Sequence, residues 1–253
     1  MSRMVLISSA GLAVVAVLLA ASAPTWASTS TELGDALAQH QTVFLVVTQS
    51  NAKGTDQAKK IAEEARAKAA GTRVVVLDRA LPENKPLVDK YRVLAAPVPL
   101  ILVIAHNGVP AGGALLRDAT PDALIRLIPT PKRAEFLLAV SQKKPVFLIV
   151  SRKSMPLQSE VFEAATQALD ALQKKANIVT VDLDDKAEQK FVKSMKIDPK
   201  TKEPATFVYN ASAEQTGFFR GAVQAGKLVE AAKKKAGGCC PSGGGGGSGG
   251  GCG

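Results

Sequence analysis

The chain has 253 residues and a formal net charge of +10, one unit of which Arg3 supplies, with two histidines, three cysteines and 4% aromatic residues. Trp26 is the sole tryptophan, so a core has to be aliphatic. The excess of lysine suits acidic surfaces, but no nucleic-acid-binding module is present, and nucleic acid is set aside as a partner.

The N-terminus comes first. Arg3 precedes an uncharged, largely apolar run from Val5 to Ala21, and Thr25-Trp26-Ala27 then places small residues where a signal peptidase reads. This is the layout of a secretory signal peptide, and cleavage after Ala27 is expected. The alternative is a retained anchor, since the run is near the lower limit of about 17 residues for a membrane span. Cleavage would leave no integral span and an exported protein, periplasmic or extracellular, with a bacterial envelope as the simplest setting.

Self-comparison organises the remainder. Thr42-Val-Phe-Leu-Val-Val-Thr48 matches Pro145-Val-Phe-Leu-Ile-Val-Ser151. Each is preceded by a short amphipathic helix, over 31–41 and 132–142. Thr29 and Glu32 have capping-box spacing, and Thr130-Pro131 is an N-cap followed by a first-turn proline. Each strand leads through a polar loop into an Ala-rich helix, over 56–69 and 158–175. A second buried strand follows, over 73–77 and 178–183, then a helix with apolar Leu87, Val88 and Tyr91, matched by Phe191, Val192 and Met195.

Next, a proline leads straight into an apolar strand: Pro99 to Ile104, then Pro204 to Tyr209. Asn107-Gly108 and Asn210-Ala-Ser mark turns into a last strand. Closing helices are expected over 121–128 and 224–235. The order α-β-α-β-α-β-β-α therefore occurs twice, which predicts an α/β fold with two mixed sheets flanked by helices. The expected units are a signal peptide (1–27), domain 1 (28–129), domain 2 (130–236) and a tail (237–253). The joint Pro129-Thr-Pro131 is stiff, because proline fixes its own φ and restricts its predecessor. The tail, Gly/Ser-rich, cannot bury a core and reads as flexible coil.

This order, with a proline ahead of the third strand, resembles the thioredoxin fold family in tandem, over roughly residues 29–235. The resemblance implies a cis-proline groove at Pro99 and Pro204, beside an active site at the start of the helix after the first strand. Laid on the family's Cys-x-x-Cys, domain 1 offers Asn51-Ala-Lys-Gly54 and domain 2 Ser154-Met-Pro-Leu157. Asn51, Gly54, Ser154 and Leu157 are thus degenerate active-site positions, and none can form a disulfide. The carboxylate that catalytic members carry six residues before the nucleophile is replaced by Leu45 and Leu148. The domains are expected to be redox-inactive, with no catalytic residue and no cofactor.

Other constellations read as structural. Ser154 lacks a histidine near it, since His40 ends the first helix and His106 lies in a turn, both expected at the surface. It is expected to be a helix N-cap. Asp182, Asp184 and Asp185 match no calcium-loop spacing and are expected to form a polar loop and cap.

All three cysteines, Cys239, Cys240 and Cys252, fall in the tail. Three cannot all pair within one chain. Cross-linking through a tail disulfide, soft-metal binding (copper(I) or zinc), a mobile redox arm and simple oxidation remain open. The leading expectation is a non-catalytic binding or scaffolding protein of the cell envelope that presents its groove to a protein partner, tested through Pro204 or Met155. The alternative is thiol-redox or soft-metal handling by the tail.

Overall fold

The computed structural model describes residues 28–198 and 200–235. The expected signal peptide and the cysteine tail lie outside the described residues. The first repeat runs α1 (Thr29–Ala38), β1 (Thr42–Thr48), α2 (Thr55–Lys68), β2 (Thr72–Asp78), α3 (Lys85–Tyr91), β3 (Leu100–Ile104), β4 (Pro110–Leu115) and α4 (Pro121–Leu127). The second runs α5 (Pro131–Ser141), β5 (Val146–Ser151), α6 (Gln158–Ala171), β6 (Asn177–Asp182), α7 (Gln189–Ser194), β7 (Ala205–Tyr209), β8 (Gln215–Arg220) and α8 (Ala225–Lys233). Short 3-10 turns precede α3 and α7.

The strands form two four-stranded sheets, ordered β2-β1-β3-β4 and β6-β5-β7-β8. In each, the first pair is parallel and the rest antiparallel. The registers correspond: Leu45 sits between Val75 and Leu102 as Leu148 sits between Val179 and Phe207. A parallel pair needs a helical crossover, so helices cover both faces, and β1 and β5 are buried along their whole length. That is why these two strands read as unbroken apolar runs.

Side chains alternate between the two layers. Val43, Leu45 and Val47 pack with Leu87, Val88 and Tyr91 of α3, while Phe44 and Val46 pack against Ala58, Ala62 and Ala65 of α2. The alanine spacing puts one methyl stripe on the sheet and lets α2 approach closely. The second repeat does the same with Leu148, Phe191 and Val192 on one side, and Phe147, Ile149, Ala165 and Ala168 on the other.

At the expected joint, α4 ends at Leu127 and α5 begins at Pro131, with Thr130 Oγ1 accepting from Arg133 N at 3.3 Å. The first helix is capped by Ser28, whose Oγ accepts from Thr31 N, rather than by Thr29. Thr29 is already helical, and its hydroxyl donates instead to Val76 O.

Candidate functional site

In both repeats the helix after the central strand starts at a residue in the left-handed conformation: Gly54 (φ 87°) before α2 and Leu157 (φ 63°) before α6. Neither gives a side-chain cap. Ser154 is therefore not the N-cap; it lies three residues earlier, exposed, because the loop turns at Leu157 before the helix begins. Leu45 and Leu148 are fully buried, so the space beneath each loop is hydrocarbon.

The loop of domain 1 is braced and covered. Thr55 Oγ1 donates to Ala52 O at 2.9 Å and lies 2.6 Å from Thr48 Oγ1. Leu116 lies over Gly54, and any side chain at that position would collide with it. Arg79, just after β2, donates from Nε to Gln49 Oε1 at 2.9 Å. Its Nη1 donates to the carbonyls of Val93, Leu94 and Ala96 at 3.1, 2.9 and 2.6 Å. One guanidinium thus ties the post-β1 loop to the segment ahead of Pro99. The Val98–Pro99 bond is cis, as expected.

Domain 2 departs from this. Glu203–Pro204 is trans, since Val98–Pro99 is the one cis bond among the described residues. A correction to the expected groove follows, although the strand entry survives: Pro204 O still accepts from Gly221 N at 2.8 Å, as Pro99 O accepts from Leu116 N at 3.2 Å. The segment ahead of Pro204 makes its own turns, with Asp198 Oδ1 accepting from Lys200 N and Thr201 Oγ1 donating to Glu203 O.

Arg152 here plays the part of Arg79. It donates from Nε to Asp184 Oδ1 and from Nη1 to Thr201 O, both at 2.8 Å. Between the two segments lies a cleft of about 530 Å³, walled by Arg152, Ser154, Met155 and Pro156 on one side and Lys200, Thr201 and Lys202 on the other. Met155 and Pro204 are themselves buried, Met155 at 8% exposure with its sulfur 3.3 Å from Arg152 N. They are core residues and poor probes of the groove; the exposed groove residues are Ser154, Pro156, Lys200 and Lys202.

The acidic loop resolves as a structural feature. Asp182 accepts from Asp184 N, Asp184 pairs with Arg152, and Asp185 caps the following turn through Ala187 N. Among the described residues no group of three or more His, Cys, Asp or Glu could hold a metal ion. His40 and His106 face each other with ring centroids 6.4 Å apart, His40 exposed but His106 half-buried. Both belong to domain 1 and not to the Ser154 loop. Sequence reasoning missed this pairing, as it missed Glu188, which is 1% exposed in a charged stretch. No helix of the described residues is long and apolar enough to cross a membrane.

No family model and no curated protein matches the sequence. Among solved structures, the chain is similar to the first two thioredoxin domains of Saccharomyces cerevisiae Eps1p at 11% identity, with 81% of this chain and 96% of that one covered and a TM-score of 0.31. It is similar to the NTD_N/C domain of alkylhydroperoxide reductase AhpF from Enterococcus faecalis at 12% identity, covering 79% and 96%, with a TM-score of 0.28. A thiol:disulfide interchange protein from Chlorobium tepidum matches at 15% identity over 36% of this chain and 80% of its own, with a TM-score of 0.28. The strand order, the paired registers and the proline at the entry to the third strand of each sheet make this protein two tandem thioredoxin-like domains, neither of which has a cysteine in its sequence.

Proposed function

We propose that the protein is a non-catalytic, exported thioredoxin-like binding protein that holds a protein partner in the cleft of domain 2. One observation carries the reading: residues 28–235 contain no thiol, yet the loop positions that would surround one in domain 2 still frame an open cleft. Thiol–disulfide exchange needs a thiolate nucleophile, and the folded domains have none to offer. A groove made of backbone turns and braced by Arg152 survives the loss of the cysteines, because nothing in its framework depends on them. Domain 1, with Leu116 over Gly54 and Arg79 across its pre-proline segment, serves as the rigid companion. The setting fits a cell-envelope protein, in line with the apolar N-terminal run.

The test is selection of binders from a random displayed-peptide library by the full chain, followed by variants at exposed cleft positions. Ser154→Trp and Lys202→Glu are expected to weaken the selected peptides at least about tenfold, the size of a typical interface hot spot. Unchanged affinity in both would remove the cleft as the binding site.

The alternative places function in Cys239, Cys240 and Cys252, and it is favoured by one sequence fact, the confinement of every cysteine to the tail. Those residues lie outside the described structure. Under that reading, copper(I), zinc or a disulfide partner is bound by the tail and the domains are its carrier.

A further inference from the structure

Thr201, which lines the cleft, also lines a second cavity of about 420 Å³ at the edge of the same sheet. Its apolar floor is Phe207 of β7 and Phe218 of β8, with ring centroids 4.8 Å apart. Met195 and Ile197 wall it, and Lys196, Arg220 and Asp198 stand at its rim, the Asp198 carboxylate already accepting from Lys200 N. Phe218 is 44% exposed, with the Arg220 guanidinium 5.6 Å from its ring centroid.

Domain 1 provides an internal control. The pair Leu102–Gly113 occupies the register position of Phe207–Phe218. There Leu102 leaves no room: a Cβ on Gly113 would sit 2.8 Å from Leu102 Cδ2. The matching edge strand β4 also opens with Pro110, which has no N–H to offer a new strand. By contrast β8, at the edge of its sheet, has no proline and a single charged residue, Arg220, at its end. An unguarded edge beside an aromatic cavity is the arrangement that β-strand addition uses. A second copy of this chain would bring the same rim, two cations against the one carboxylate of Asp198, on a molecule of net charge +10, whereas carboxylates complement the net positive charge.

We propose that the β8 edge docks an acidic, extended peptide segment as an added strand, with one aromatic or branched aliphatic side chain in the Phe207–Phe218 cavity and flanking carboxylates on Lys196 and Arg220. The proposal shares with the preceding reading that domain 2 binds protein, and Thr201 borders both surfaces; the peptide lies along β8 rather than in the cleft, and the two fail separately.

The experiment uses the full chain and two blocked heptapeptides, EVEFEVE and KVKFKVK, with fluorescence anisotropy for affinity and amide hydrogen exchange for location. EVEFEVE is expected to bind, to slow exchange across residues 215–220, and to outcompete KVKFKVK. Phe218→Ser should weaken it at least about tenfold. The double variant Lys196→Glu, Arg220→Glu, at two exposed positions, should do the same and guards against a misfolded Phe218 variant. Ser154→Trp should leave it unchanged. No binding at millimolar peptide overturns the proposal, as does binding that spares residues 215–220 or resists both variants. Protection at 152–156 with loss in Ser154→Trp overturns it too, and would place the peptide in the cleft. Displacement of the peptide by dodecanoate that itself leaves β8 exchange unchanged would replace it with a small apolar anion site.

Discussion

Gly54 and Leu157 stand at the same point of the two repeats, and both take up the left-handed conformation. For an L-residue that conformation costs about 1–2 kcal/mol, and Leu157, 39% exposed, is more than half covered and offsets part of that strain by burial. Leu157→Gly is expected to change stability by less than about 1 kcal/mol, the strain relieved being set against the burial lost and the freedom glycine gains in the unfolded chain. Gly54→Leu should cost at least about 2 kcal/mol, from the same strain plus the collision with Leu116. Urea midpoints at unchanged m-value read both. A third residue carries a pH signature. Burial pushes the Tyr91 hydroxyl up to about 12 from 10. The unfolded chain therefore loses this proton first, so the contribution is complete below pH 10 and lost as pH rises toward 12. The full effect is about 2–3 kcal/mol. Tyr91→Phe should flatten the alkaline limb of stability against pH, and an unchanged limb would place the titrating group elsewhere, with Tyr209, also raised by burial, the next residue to replace.

At the scale of elements, α5 is the point where the repeats meet. Glu188 Oε1 accepts from Lys132 N at 2.8 Å, placing a buried carboxylate at the helix N-terminus, where it also meets the positive end of the dipole. Lys190 Nζ donates to Ile128 O at 2.8 Å, and Asn107 Nδ2 from domain 1 donates to Ala134 O at 2.7 Å. Ala105 and Val109 close on Ala134 and Leu137. Glu188→Ala is expected to cost about 1–3 kcal/mol, the range for stranding a buried donor. It should also speed amide exchange at the start of α5; a loss under about 0.5 kcal/mol would mean water replaces the carboxylate at no cost.

The elements themselves were legible. Thr42–Thr48 is a strand to the residue, Leu87, Val88 and Tyr91 are buried, and Thr130-Pro131 opens a helix. Buried strands and caps are written in neighbouring residues. Glu188 was not legible, because its burial comes from a backbone N–H 56 positions away. Nor was the trans bond at Pro204, since a proline ahead of a strand is compatible with either isomer. Ser154 resembled a cap by position and residue type, but the left-handed turn at Leu157 displaced the helix start beyond it.

On the scale of the molecule, duplication produced two unequal copies. Domain 1 is closed at its loop and guarded at its edge by Leu116, Arg79, Gly113 and Pro110; domain 2 keeps a cleft and an open edge, both bordered by lysine and arginine. On that inequality the proposed binding falls to the second copy. It also gives a salt dependence: an acidic ligand held by Lys196 and Arg220 should bind more weakly as ionic strength rises and the Debye length falls below about 8 Å. Affinity independent of salt between 0.05 and 0.5 M sodium chloride would show that the cations are bystanders.

The most direct measurement compares the full chain with the triple variant Cys239→Ser, Cys240→Ser, Cys252→Ser, scoring insulin-disulfide reduction and affinity for library-selected peptides side by side. Binding in the cleft of domain 2 predicts no insulin reduction by the triple variant and peptide affinity equal to that of the parent. Loss of peptide binding on removing the three thiols would contradict it and move the function from the cleft of domain 2 to the tail.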